Sequence, residues 1–101
     1  MSQKLPDVPG KTLTALLVGC EPGGNTPKHR HPGCVMAFVV SGAVRSPNSS
    51  TGPARVYHAG EAFYEPPGSE HLSENASATE PASLLAVFVA EDGATLRIDD
   101  P

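Results

Sequence analysis

His29 and His31 stand one residue apart in "TPKHRHPGCV", residues 26–35, and make up half of the chain's four histidines. In an extended strand alternate side chains share a face, so the two imidazoles project together and Arg30 projects to the other side. Imidazoles at that spacing can share one metal ion, and imidazole nitrogen suits iron, nickel, zinc, copper and, less strongly, manganese. Two ligands do not make a site, so a third must come from elsewhere. His71 is the best placed, because the tight turn in "PPGSEH" would bring a neighbouring strand back toward the first pair. His58, in "RVYHAG", competes with it, but a solvent-facing histidine is the ordinary outcome there. For His29 and His31 the plain alternative is a pair of surface histidines on an edge strand.

The elements that must position these groups are short. "KTLTALLVGC" (11–20) is aliphatic and β-branched with no polar face at helical spacing, and it reads as a strand. Residues 28–31, 35–42, 43–46, 54–60, 61–68 and 71–75 follow as strands separated by turn clusters such as "EPGGNTP" and "PNSSTGP". "ASLLAVFVA" (82–90) is strongly apolar, and "ATLRID" supplies a last strand. With about eight or nine strands and no convincing helix, the pattern points to an all-β sandwich or barrel. Val35–Val40 and Leu84–Val89 are too continuously apolar to leave one face in water, so they are expected at the centre or against a second copy.

Composition narrows the class. The chain has 101 residues, 39% apolar and 18% charged, with eleven prolines and ten glycines spread along it. That length suits a single domain. Residues 1–10 read as a loose N-terminal arm with two prolines, and residues 11–101 as the domain. The net charge is −4 with no basic run, which argues against nucleic acid or an anionic membrane surface as partner. Cys20 and Cys34 do not make a disulfide framework. The opening "MSQKLPDVPG" has no apolar signal core, and no stretch is long enough to span a bilayer, so a cytoplasmic protein is expected.

The spacing around the histidines carries a resemblance. From Gly23 the chain reads five residues, His29, one residue, His31, three residues, Val35, six residues, Gly42. From Gly60 it reads five residues, Pro66, one residue, Gly68, two residues, His71, three residues, Asn75. This resembles the cupin superfamily, whose motifs are G-x5-H-x-H-x3,4-E-x6-G and G-x5-P-x-G-x2-H-x3-N. The second motif matches at every fixed position and the first at all but one. The resemblance implies a cupin jelly-roll β-barrel with His29, His31 and His71 as ligands of one divalent transition metal. It also gives Gly42 and Gly60 to turns, Gly68 to the bend before His71, and Asn75 to the loop that follows.

The departure is Val35, where the family carries a glutamate ligand. Cys34, if the Pro32-Gly33 break turned it inward, or Met36, if the spacing slid by one, would be replacements. Against them stand the commoner inert cysteine and the softness of a thioether. Glu65, just before Pro66, is a candidate general base at the barrel mouth, although an acid without a partner ordinarily stays in solvent. Three neutral imidazoles leave the ion's charge uncompensated, which favours an anionic small molecule in the open positions. It also costs the harder metals more affinity than zinc, nickel or copper.

Some cupins use three histidines, thiol dioxygenases and a diketone-cleaving dioxygenase among them. The resemblance therefore implies a metal-dependent dioxygenase-type enzyme acting on a small chelating or enolisable substrate, with a lyase or isomerase close behind. A non-catalytic sensor or scaffold is the rival class, favoured by the missing glutamate and opposed by the intact second motif. A homodimer is expected from the long apolar strands, since pairing also covers exposed strand edges.

Overall fold

The computed structural model describes residues 1–25, 29–48 and 52–99. Thr26–Lys28 and residues 49–51, which hold the centre of the expected "PNSSTGP" turn, lie outside the described residues. The strands are β1 (Ser2–Lys4), β2 (Lys11–Cys20), β3 (His29–Arg30), β4 (Cys34–Ser41), β5 (Ala43–Asn48), β6 (Gly52–His58), β7 (Ala62–Glu65), β8 (Glu70–His71), β9 (Glu74–Asn75), β10 (Ala82–Glu91) and β11 (Ile98–Asp99). No helix occurs among the described residues, and none is long and apolar enough to cross a membrane.

Two antiparallel sheets form a jelly-roll barrel. One has the order β1-β2-β10-β4-β7, and the other β11-β3-β8-β5-β6 with β9 paired to β5. The expected strands over 11–20 and 82–90 are both present, paired along their whole length from Lys11↔Glu91 to Cys20↔Ala82. The first ten residues are not a loose arm throughout. Ser2–Lys4 pairs with Thr12–Thr14, because an extended segment can satisfy its backbone groups on the free edge of β2.

The pleat divides β4 and β10 cleanly. Val35, Ala37 and Val39 face inward with Leu84, Ala86 and Phe88, and Val39 and Val44 are fully buried. Full burial of a side chain such as Val39 contributes about 1.5–3 kcal/mol. Tyr57 and Phe63 stack beside this core with ring centroids 4.5 Å apart. The outward residues of the same strands, Met36, Phe38 and Val40, join Leu17 and Tyr64 as exposed apolar groups.

Two glycines explain otherwise odd sequence features. At Gly33, two positions after His31, an added Cβ would strike the Val89 carbonyl oxygen and lie 2.8 Å from Ala90 Cβ. The Pro32-Gly33 step therefore lets the chain press against β10 on its way into β4. At Gly42, φ is +74° and a Cβ would meet the Pro81 carbonyl oxygen at 2.7 Å. Only glycine suits both the left-handed backbone and the close approach.

Asn75 lies buried at the far end of β2. Its side-chain amide donates to the carbonyls of Glu80 at 2.8 Å and Glu21 at 3.0 Å, with Cys20 O within 3.2 Å. Its Oδ1 accepts from Ser77 N at 2.9 Å. Asn75 thus fixes the loop after the second motif, as its place in that motif implies.

Candidate metal centre

A cavity of about 200 Å³ is lined by residues of β2, β4 and β10 together with His29, His31, Glu65, Ser73 and the segment before β11. Phe88, Leu84, Ala86, Val35 and Val18 give it apolar walls. His29, His31, Glu65, Ser73 and Arg97 supply the polar groups. The backbone explains this arrangement. β4 and β10 turn apolar residues inward, β3 and the residue after it bring His29 and His31, β7 ends on Glu65, and Ser73 and Arg97 come from the segments before β9 and β11.

His29 and His31 are not surface histidines. They are 4% and 7% exposed, their ring centroids lie 4.8 Å apart, and the rings meet edge to face. Arg30, between them, is exposed on the other side. The His31 ring packs on Phe88, with centroids 5.2 Å apart. His31 Nδ1 donates to the Leu96 carbonyl at 2.6 Å, which leaves the lone pair of the neutral ring on Nε2. Burial holds the His31 pKa below its usual value. The Leu96 bond opposes this, and the charges of His29 and Arg97 add to the lowering. A neutral imidazole with one nitrogen anchored to a carbonyl and the other turned toward a cavity is the state a metal ligand needs.

His71 sits on β8 at the register position directly opposite His29. Its side chain lies outside the described part of the structure, so the backbone register alone places it. Directly opposed positions in an antiparallel pair are the closest cross-strand neighbours. Among the described residues, no group of three His, Cys, Asp or Glu side chains surrounds a single point. His58 is exposed on β6, remote from the cavity lining, and its backbone N–H donates to Glu61 Oε1 at 2.8 Å.

Glu65 overturns the expectation of a solvated acid. It is 3% exposed, because β7 turns Tyr64 outward and Glu65 inward in alternation. Its Oε2 lies 3.4 Å from His31 Nε2. Burial raises its pKa to about 8. Neither residue expected to stand in for the first-motif glutamate reaches the cavity. Met36 is 39% exposed on the outer face, one pleat out of phase with Val35. Cys34 is half-buried, with Sγ 3.9 Å from the Val89 carbonyl and no place in the lining.

Sequence reasoning missed three contributors: Ser73, Arg97 and the Leu96 carbonyl. A main-chain carbonyl leaves no mark in a sequence. Arg97 is visible as a charge just before the last strand, but its place in the cavity wall is set by the fold.

The donor types present, imidazole nitrogen and carboxylate oxygen in a largely apolar pocket, fit a divalent transition ion. Comparison with known proteins agrees at the level of fold. A Ruegeria pomeroyi DMSP lyase superposes with a TM-score of 0.74 at 23% identity, covering 85% of this chain and 42% of its own. The Bacillus subtilis oxalate decarboxylase studied for its Mn(II) centres gives 0.69 at 26% identity, covering 96% and 30%. An oxalate oxidase in complex with the substrate analogue glycolate gives 0.65 at 26%, covering 82% and 46%. The chain spans less than half the length of each of these structures. No curated protein sequence matches the chain. Residues 16–88 match the Cupin domain family (Cupin_2), which covers both histidine motifs and most of the barrel, and the chain therefore belongs to the cupin family.

Proposed function

We propose that this chain holds one divalent transition metal through His29, His31 and His71, and that a small anionic molecule occupies the remaining positions and the cavity behind them. The observation that carries this reading is the aim of His31. Its Nδ1–H is tied to Leu96 O, so Nε2 faces the cavity beside His29 and within one strand of His71. The Mn(II) centres named for the Bacillus subtilis oxalate decarboxylase support a divalent ion of this kind. Oxalate decarboxylase and oxalate oxidase are enzymes of a small dicarboxylate, which supports an anionic ligand.

A bound ion would supply Lewis acidity or, if redox-active, electrons for dioxygen chemistry. The chain's own residues do the rest. Arg97 sets a positive charge at the cavity wall and would draw an anion inward. Phe88, Leu84 and Ala86 exclude water around the reacting group. We assign the protein to metal-dependent dioxygenase-type chemistry on a small chelating or enolisable anion. The second reading, a metal-dependent lyase or decarboxylase, draws on the decarboxylase and lyase similarity and uses the same residues.

The partner proposal is a second copy of this chain. Leu17, Leu85 and Phe38 form one cross-strand row on the outer face, and Val87, Met36 and Tyr64 form the next. Such a face, with Leu17 71% exposed and Tyr64 55%, pairs with itself about a two-fold axis. Cys20 and Cys34 are free thiols, and the cytoplasm is the compartment we propose for them.

The test begins with metal content after purification and after loading with Fe(II), Mn(II), Ni(II) or Zn(II). One equivalent that disappears in His29→Ala and His31→Ala supports the site. Oxygen uptake with diketones, thiols and flavonols identifies an oxygenase, and carbon dioxide release from short carboxylates identifies a decarboxylase. Stoichiometric metal without turnover assigns a non-catalytic binding protein. No metal under any loading condition overturns the proposal and leaves a scaffold.

A further inference from the structure

Val35 and Glu65 are direct cross-strand partners on β4 and β7, and both line the cavity. In an antiparallel pair, residues so opposed have Cβ atoms about 4.5–5.5 Å apart and point to the same face. A carboxylate lost from one of these positions is therefore recovered at the other by a side chain that begins one strand away. We infer that Glu65 supplies the anionic metal ligand that the first cupin motif places at the position of Val35. The inference rests on the proposed histidine site and deepens it: the cation is held by three imidazoles and a carboxylate relocated to the neighbouring strand.

The geometry carries this assignment. With Nδ1–H given to Leu96 O, neutral His31 turns a lone pair on Nε2 toward Glu65 Oε2, 3.4 Å away. An imidazole nitrogen and a carboxylate oxygen held that close at one cavity wall stand at a spacing that a shared cation can bridge. Donors bound to one ion at about 2.1 Å stand about 3.0 Å apart on an octahedral edge and about 3.4 Å apart on a tetrahedral one. The His31–Glu65 separation falls in that range, and gathering His29 onto the same point takes side-chain rotation, since no three described donors yet surround one. The alternatives for the missing acid face elsewhere: Met36 lies outside the barrel and Cys34 lies against Val89. Val35 keeps an apolar wall behind the carboxylate, so Glu65 does not compete with an acid at that position.

As a metal ligand Glu65 would not serve as the general base for which it was a candidate. An anionic ligand returns one negative charge to the site, so the harder ions lose less affinity than three imidazoles alone would impose.

The test compares Mn(II) and Zn(II) affinity, by calorimetry with chelator competition, in the wild type, Glu65→Gln, His29→Ala and the double exchange Val35→Glu/Glu65→Val. Glu65→Gln keeps the side-chain shape, and circular dichroism checks its fold. The expected result is a loss of about 10–100-fold for Mn(II) in Glu65→Gln, with a smaller loss for Zn(II). The double exchange should recover most of the Mn(II) affinity. The Mn(II) electron paramagnetic resonance spectrum should change in Glu65→Gln and return toward wild type in the exchange. Wild-type affinity for both ions in Glu65→Gln, together with a loss in His29→Ala, overturns the Glu65 assignment and leaves the histidine site standing. Unchanged binding in His29→Ala, or no binding by the wild type, overturns the histidine site and the Glu65 assignment with it.

Discussion

His29 on β3 and His71 on β8 occupy directly opposed register positions, although 41 residues lie between them in the chain. The second motif thus reaches the first through a two-residue strand pairing. Replacing either histidine with alanine should lower Zn(II) affinity by about 10–100-fold or more, since each removes one donor from a small set. Calorimetry on the two single variants and on the double variant checks it. Coupled ligands should give a double-variant loss smaller than the sum of the single losses.

Glu65 should make the metal-free protein less stable as pH rises. Its folded pKa, about 8, lies above the ordinary 4.5, so the folded state keeps a proton that the unfolded state has released. Stability from this group is fully present below 4.5 and is lost as pH climbs toward 8. His31 acts in the opposite sense below 6.5, because its lowered pKa makes protonation favour unfolding. The two effects separate between 6.5 and 8, where the Glu65 effect alone should remove about 2 kcal/mol. Urea denaturation with chelator present, at both ends of that window, measures it. Glu65→Gln should flatten the slope.

Gly33→Ala should destabilise the fold by about 1–3 kcal/mol, the usual cost of forcing extra atoms into a packed place. The new methyl would be driven into the Val89 carbonyl and Ala90 on β10. Because Gly33 follows His31 by two positions, the same variant should also weaken Zn(II) binding. Thermal melting and calorimetry report the two effects separately.

Leu17→Lys combined with Phe38→Lys should convert the proposed dimer to a monomer without unfolding the barrel. Both residues stand in one row of the outer face, across β10 from each other, and neither lines the cavity. Sedimentation velocity of the pair variant against wild type decides whether this face is the contact.

Legibility from sequence tracked the range of the interaction. The strands over 11–20 and 82–90 were readable because β-branched and aliphatic runs state their own conformation. The histidine spacing named the family because motif positions are local counts. Glu65 was misread because its environment is set by β4, a strand far away in sequence, and not by its own neighbours. The pairing of Ser2–Lys4 with β2 was missed for a related reason: nothing within the first ten residues signals which edge they will meet. The choice between Cys34 and Met36 required the pleat phase, which turns on where β4 begins.

One consequence lies in the last strand. β11 pairs with β3 over only two residues, Ile98↔Arg30 and Asp99↔His29, yet it is held by the same chain segment whose Leu96 carbonyl steers His31. So short a pairing is among the easiest in the molecule to peel open. When it peels, one imidazole loses its flanking backbone and the other loses the anchor that sets its rotation. An opening of that single seam would loosen both imidazoles together, so amide exchange at residues 98 and 99 should slow when the site is filled.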